Sequence, residues 1–317
     1  MSHGKIGIWM YKNDGGIIPR TKLIKMLRDK GYEVIDDFDL RKCYCINNFV
    51  MTEDGRDLTS LDLLFHMNAD ERSDQQIDML HALELSGVKV INPFYPFENA
   101  RDKFISNMKL RKAGIKVPDS LLIGNNFSDS FMKKLFDDWG SILVKPRKWF
   151  GGQGIVKFDN YEHFMDLYGL IEKHFSQLFL QRFIPFTKQD YRVEIINGEV
   201  VDYYSRAKEH QFKTNVHLGG HVVPSAYDEE KIILAKKAAK ALDIPITIVD
   251  IIQSSENGES YVLEVNDSLG VFIEAHSNYA KLKIYEELSH DDKKLNMLFD
   301  YIVLQMKTLN KVKKEIL

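Results

Sequence analysis

The chain has 317 residues, length for about two domains and a sizeable core, with 44% hydrophobic and 28% charged side chains and a formal net charge of −3. That balance carries no basic footprint for nucleic acid, no stretch approaches the ~18 continuous apolar residues of a membrane span, and the amino terminus lacks an apolar signal segment. The expectation is a cytoplasmic protein with neither a nucleic-acid nor a membrane partner. Cys43 and Cys45 are the only cysteines, and at that spacing, without further ligands, they read as reduced structural thiols.

The first ninety or so residues alternate strand and helix signals. Lys5 to Met10 reads as a strand, Thr21 to Lys30 as a helix that Gly31 can end, and Leu61 to Phe65 as a second strand. Ser73 with Gln76 three residues on is a capping-box pattern for a helix closing near Gly87, and Val88 to Asn92 follows as a strand before Pro93. This alternation favours a parallel sheet covered by helices.

A new pattern begins after Asn92, with a helix from Ala100 to Ala113, a stop at Gly114 and an extended exit at Val117-Pro118. A helix from Ser128 to Trp139 then leads to strand Ile142 to Lys145, a loop from Pro146 to Gly154 and strand Ile155 to Phe158. Helix Tyr161 to Phe175 precedes strand Leu178 to Phe183. Arg192 to Ile196 and Glu199 to Tyr204 flank Asn197-Gly198, a strong hairpin signal. Helix Asp228 to Leu242 is followed by strands Ile246 to Ile252 and Ser260 to Asn266, joined through the turn Glu256-Asn257-Gly258. The tail from Tyr285 to Leu317 is amphipathic and basic at its end, the pattern of a packed helix with a solvated tip. The expected division is residues 1–92, 93–187 and 188–317.

Two places carry chemistry. Asp250 lies seven residues before Asn257 and Glu264 seven after it, so a simple hairpin sets the carboxylates opposite one another, and the strand period of two adds Asn266 to that face. Two carboxylates and an amide suit a hard cation such as Mg²⁺ that completes its shell with water and phosphate; the alternative is a pair of structural acids, with Glu264 facing water. Lys145 is followed by Pro146-Arg-Lys-Trp-Phe-Gly151-Gly152-Gln-Gly154. A glycine-rich loop between strands can close backbone amides over phosphates beside such a lysine, or can serve turn geometry alone; it lacks the order of a P-loop. Arg192 and Arg206 could offer charged forks to phosphate or carboxylate oxygens, or be solvated surface charges. His217 has no metal-ligand spacing and reads as structural.

The order of Asp102-Lys103, Gly114 to Pro118, Val144-Lys145 with its glycine loop, Gln181 to Ile184, Asp190-Tyr-Arg192, Arg206-Ala-Lys208, Lys213-Thr-Asn215 with Gly219-Gly220, Asp250 and Glu264-Val-Asn266 resembles the ATP-grasp superfamily. It is most similar to the RimK-like carboxylate-amine ligases, over about residues 88–275. The fold this resemblance implies is α/β (α+β), an ATP-grasp fold preceded by a small parallel-sheet α/β domain. It also implies roles. Lys103 and Lys145 would contact ATP phosphates, with Gly151, Gly152 and Gly154 in the loop over them. Gln181, Arg182, Phe183 and Ile184 would border adenine, Asp190 would lie near the ribose with Arg192 beside it, and Lys213, Thr214 and Asn215 would belong to the nucleotide or phosphate site. Asp250, Glu264 and Asn266 would hold one or two Mg²⁺, or Mn²⁺, and Arg206 with Lys145 would stabilise the transferred phosphoryl group. Two departures stand out: Arg182 occupies a position where the family usually has an acid, and the stretch Arg147 to Phe150 is longer and bulkier than the common pattern.

The activity so implied is ATP-dependent ligation of a carboxylate to an amine through an acylphosphate, with release of ADP and phosphate. The amine-bearing or carboxylate-bearing partner could be an amino acid, a peptide or a protein terminus, and a homo-oligomer is open. A small-molecule kinase on the same scaffold and a non-catalytic ATP-binding regulatory protein are the alternatives.

Overall fold

The computed structural model describes residues 3–12, 16–67, 73–149, 151–207, 212–215, 220–223, 225–270, 272 and 291–316. Phe150, Lys208, His217, Gly219 and the expected start of the tail helix at Tyr285 lie outside the described residues.

The first sheet is parallel throughout, in the order β2 (Glu33–Ile35), β1 (Lys5–Met10), β5 (Leu63–Met67), β6 (Lys89–Ile91). Its pleat sends alternate side chains to opposite faces. Ile6, Ile8 and Met10 of β1 join one core with α1 (Ile17–Asp29) and the carboxy-terminal helix α8 (Asp291–Ile316), whereas Trp9 joins another with Ile77, Leu80 and Leu83 of α2 (Asp74–Leu85). Ser73 caps α2 by accepting from the Gln76 amide, and the apolar stripe of the tail, Leu295, Leu298, Ile302 and Met306, is the face that α8 lays on this sheet. A small ribbon, β3 (Tyr44–Ile46) with β4 (Phe49–Met51), stands beside it. Cys43 is buried there and Cys45 exposed, both free thiols.

The expected helix from Ala100 to Ala113 is two helices, α3 (Phe94–Arg101) and α4 (Lys103–Lys112). Asp102 divides them: its backbone is extended and its carboxylate accepts from the Phe104 and Ile105 amides, the N-cap role that a short acidic side chain favours over a helix interior.

The second sheet is antiparallel, in the order β7 (Ser120–Gly124), β10 (Gln177–Arg182), β8 (Ile142–Lys145), β9 (Val156–Phe158). Helices α5 (Asp129–Trp139) and α6 (Tyr161–Ile171) cover one face through Met132, Phe136 and Phe164 on Ile142, Val144, Leu178 and Leu180. The alternate residues Leu143, Lys145 and Gln181 therefore point the other way.

The third sheet, in the order β13 (His221–Val223), β12 (Glu199–Ala207), β11 (Phe186–Ile196), β14 (Ile246–Ser254), β15 (Ser260–Val265), is also antiparallel. Asn197 and Gly198 both have positive φ, as the turn joining β11 and β12 requires. One face packs Val193, Ile195, Val249, Ile251 and Val265 against α7 (Glu229–Ala241) and against Ala100 and Leu110 of the α3 and α4 pair. The opposite face carries the polar residues.

Candidate functional site

The uncovered faces of the second and third sheets line an open cleft of about 750 Å³, its mouth included. Lys145 reaches it from the end of β8 and Asp250 from the middle of β14. The register sets Asp250 directly opposite Glu264. The hairpin is not the simple one expected, because Ile251 pairs with Val262 and Leu263 is the extra residue of a bulge. The bulge turns two consecutive residues, Leu263 and Glu264, to the cleft, while Val262 and Val265 on either side are core.

The acids are held by cations from three elements. Arg206 and Asp190, register partners on β12 and β11, form a buried ion pair, and Arg206 also lies 3.2 Å from Asp250 Oδ2. Arg192 Nη2 donates to the same oxygen at 3.2 Å. Arg192 Nε is 3.0 Å from Asp250 Oδ1 but off the N–H axis, so these two buried atoms attract as charges without a hydrogen bond. Burial works most strongly against the Arg192 charge, but Asp250, Tyr204 and Asp190 together more than reverse it and hold the proton above the usual arginine range. Burial and neighbouring Arg192 oppose the Arg206 charge too, and Asp250 with Asp190 prevails.

Lys103, first residue of α4, places Nζ 3.1 Å from Glu264 Oε1 and also donates to the Trp149 carbonyl. Lys145 Nζ donates to Gln181 Oε1 at 2.5 Å. Burial pulls Lys145 down to about 8; Glu264 resists that and Lys103 adds to it.

The glycine-rich loop is tied to the α3 and α4 junction. Arg147 makes a two-pronged contact with the capping carboxylate of Asp102, Nε to Oδ1 at 2.8 Å and Nη2 to Oδ2 at 2.7 Å, and Lys148 Nζ reaches Glu98 Oε2 at 3.0 Å. Arg147, Lys148 and Trp149, three residues of the stretch that departed from the family pattern, are thus the loop's attachments to α3 and α4.

Of the residues singled out from the sequence, Lys103, Lys145, Gly152, Asp190, Arg206, Asp250 and Glu264 line the cleft, as do Gln181, Arg182, Phe183, Ile184, Lys213, Thr214 and Asn215. Arg192, Asn266, Gly151 and Gly154 do not line it: Arg192 supports Asp250, and Asn266 Nδ2 donates to the Ile248 carbonyl at 3.1 Å. The Arg182 and Phe183 amides are engaged by the carbonyls of Asp119 and Ser141, so any base contact of that segment falls to its other backbone groups. Among the described residues, five lining cations, Lys103, Lys145, Arg182, Arg206 and Lys213, face three carboxylates, a balance that suits an anionic ligand. The apolar wall of Leu143, Ile155, Phe186 and Ile252 is additional to the expected set; counting by two from Lys145 and Asp250 reaches Leu143 and Ile252.

The residues present fit a hard divalent cation. Asp250 Oδ1 is a buried oxygen without a hydrogen-bond donor, opposite a second carboxylate in register. Among the described residues no group of three or more His, Cys, Asp or Glu side chains is placed to hold a metal by itself. Among them also, no helix is long and apolar enough to cross a membrane.

Comparison with known proteins agrees with this geometry. Residues 100–290 match the model of the RimK-like ATP-grasp domain. A probable alpha-L-glutamate ligase of Histophilus somni (strain 2336) is 29% identical over 195 residues, 61% of this chain and 64% of that protein, so the chain spans just under two thirds of that relative's length. Another, of Stenotrophomonas maltophilia (strain K279a), is 26% identical over 255 residues, 79% of this chain and 86% of that protein. Among solved structures, D-alanyl-alanine synthetase A from Vibrio cholerae superposes with a TM-score of 0.66 at 15% identity, covering 98% of this chain and 99% of that one. The ATP-grasp ligase PsnB complexed with minimal precursor gives 0.65 at 17%, covering 96% and 100%. At those identities the likeness is one of fold, and the match over residues 100–290 carries the assignment: the chain belongs to the RimK-like ATP-grasp family.

Proposed function

We propose that the protein is an ATP-dependent carboxylate-amine ligase, forming an amide or peptide bond through an acylphosphate and releasing ADP and phosphate. The observation that carries this reading is the pairing of Asp250 with Glu264 in a cleft that Lys145 lines from the second sheet and Arg206 from the third, within a chain of a family whose relatives include the probable alpha-L-glutamate ligases. In the proposed organisation, residues 93–187 and 188–317 grip the nucleotide between them and residues 1–92 contribute to substrate choice.

Carboxylates resist amine attack because oxide is a poor leaving group. In the proposed reaction a carboxylate oxygen takes the γ-phosphoryl group of ATP, ADP departs, and the amine then displaces phosphate from the acyl carbon while losing a proton. Lys103 and Lys145 bind phosphate oxygens, and Arg206, fixed by Asp190, faces the charge that develops on the transferred group. The segment Gln181 to Ile184 with Phe186 and Ile252 receives the base, Asp190 the ribose edge, and Lys213, Thr214 and Asn215 border the phosphates. The loop with Gly151, Gly152 and Gly154 covers them and keeps water from the acylphosphate. Asp250, Glu264 and Asn266 are the residues that would hold Mg²⁺ or Mn²⁺, one ion or two. Such an ion supplies positive charge to the phosphate oxygens.

A screen of carboxylates with ATP, Mg²⁺ and hydroxylamine, followed for phosphate release and hydroxamate by mass spectrometry, tests the reading. A hydroxamate that disappears in Glu264→Gln is the expected result. A stable phosphorylated hydroxyl compound with no hydroxamate would replace the ligase by a kinase.

A further inference from the structure

Behind the cleft, the polar face of the third sheet continues into a buried chain of groups. Glu194, two residues beyond Arg192 on β11 and therefore on the same face, is fully buried. Its Oε2 lies 2.7 Å from Nζ of Lys294, itself 1% exposed in the first turn of α8. Its other oxygen accepts from the Tyr204 hydroxyl at 3.2 Å. Tyr204 is the direct cross-strand partner of Arg192, and Arg192 in turn holds Asp250. Gly270 closes the cluster: a Cβ there would stand 2.8 Å from Glu194 Oε1 and 3.4 Å from the Tyr204 hydroxyl oxygen.

Burying a carboxylate and an ammonium together costs desolvation that an apolar pair of the same shape would avoid. A hydrophobic replacement would fill this space equally well, so packing does not account for the charges. What they do is fix direction. Glu194 is held from α8 by Lys294 and gives the Tyr204 hydroxyl a fixed acceptor, and Tyr204 in turn interacts with Arg192, its cross-strand partner. Without that support Arg192 would be restrained only by its acidic partners, chiefly Asp250 with Asp190 beyond it, and would be free to shift with Asp250.

We infer that Lys294, Glu194 and Tyr204 form a positioning relay that sets the orientation of Arg192 and, through it, the placement of the Asp250 carboxylate for a divalent cation. This inference rests on the proposed role of Asp250. None of the three is a catalytic residue; the nearest, Tyr204, acts through Arg192. The relay makes the seating of α8 on the first sheet part of what holds the site, because Lys294 leaves the same turn whose Leu295 enters that core.

The test uses the full chain and Mn²⁺ as the probe, titrated by electron paramagnetic resonance in the presence of a non-hydrolysable ATP analogue, with melting temperature followed in parallel. Asp250→Asn should abolish the tight Mn²⁺ signal, and if it does not, the reading of the site fails and the relay with it. Given that loss, Tyr204→Phe, which removes one hydroxyl, should weaken Mn²⁺ by about tenfold, the scale on which groups supporting metal ligands act, while ATP analogue affinity without metal and the melting temperature change little. Unchanged Mn²⁺ affinity in Tyr204→Phe overturns the relay and leaves the site reading standing. Should that variant fail to fold, the double variant Glu194→Met, Lys294→Met removes both buried charges, and with them the Tyr204 acceptor, at nearly constant shape. It is expected to fold and to show the same loss of Mn²⁺ affinity, and normal affinity in that variant would equally overturn the relay.

Discussion

Asp250 and Glu264 are register partners on adjacent strands, yet their charges are balanced from opposite sides, Asp250 by Arg192 and Arg206 of the same sheet and Glu264 by Lys103 of α4. A cation placed between the two carboxylates would compete with Lys103 for Glu264 far more readily than with two arginines for Asp250. Glu264→Gln should therefore weaken the Mg²⁺ dependence of turnover strongly, lowering kcat by on the order of a hundredfold or more, while the melting temperature stays within a few degrees because Glu264 is partly exposed and its ion pair contributes little. Turnover near that of the parent at ordinary Mg²⁺ would remove Glu264 from the metal set.

Lys145 gives a pH signature. Its pKa is pulled from about 10.5 for an exposed lysine to about 8, chiefly by burial. Between those values the unfolded chain binds the proton that the folded chain has lost, so stability rises as pH goes from about 8 towards 10.5, by up to about 3 kcal/mol from this group. Below about 8 both states carry the charge and the full cost of burying it is present. Phosphate oxygens beside Nζ would restore the charged form, so ATP binding at pH 9 should take up close to one proton. Isothermal calorimetry in buffers of different ionisation enthalpy reads that uptake. It should vanish in Lys145→Met, and an equal uptake in that variant would assign the proton elsewhere.

Much of this was readable in the sequence, and the exceptions have physical causes. The alternation of Ile6, Ile8 and Met10, the Asn197-Gly198 turn and the Asp250 to Glu264 spacing are short-range patterns that the structure follows. Strand β2, three residues long, and β7, whose Leu121-Leu122-Ile123 run does not alternate, carry too little pattern to announce themselves. Asp102 was hidden inside a run with helical periodicity until its capping bonds divided it. The bulge at Leu263 left the expected pairing of Asp250 intact while changing how the hairpin reaches it, and no spacing rule detects a bulge. Partners distant in sequence, Lys103 with Glu264 and Lys294 with Glu194, exist only once the sheets are stacked.

The attachment of the glycine-rich loop makes a separate prediction. Arg147 is about a third exposed, so its two-pronged contact with Asp102 contributes on the order of 1 kcal/mol once solvent screening is allowed for. Arg147→Ala should therefore leave global stability nearly unchanged but release the loop, seen as a red shift and lower anisotropy in the emission of a variant retaining Trp149 as its sole tryptophan. The Michaelis constant for ATP should rise severalfold with kcat less affected. Unaltered Trp149 emission would mean that Lys148 with Glu98 and the bond from Lys103 hold the loop without Arg147.

Gly154 and Gly258 separate backbone strain from crowding within the same molecule. Both have positive φ, +67° and +71°, so alanine at either carries the left-handed penalty of roughly 1 kcal/mol. At Gly258 a Cβ would meet nothing within 4 Å, whereas at Gly154 it would stand 2.6 Å from Pro146 Cγ and 3.1 Å from the Trp149 ring. The proline ring cannot rotate away, so the loop itself must shift. Gly258→Ala should lower the melting temperature slightly and leave ATP affinity unchanged; Gly154→Ala should cost similar stability, since the loop is exposed and can yield, but lower ATP affinity by tenfold or so, about 1.4 kcal/mol. Equal ATP affinities in the two variants, measured by calorimetry, would show that the loop conformation seen here is not the one that closes over the nucleotide.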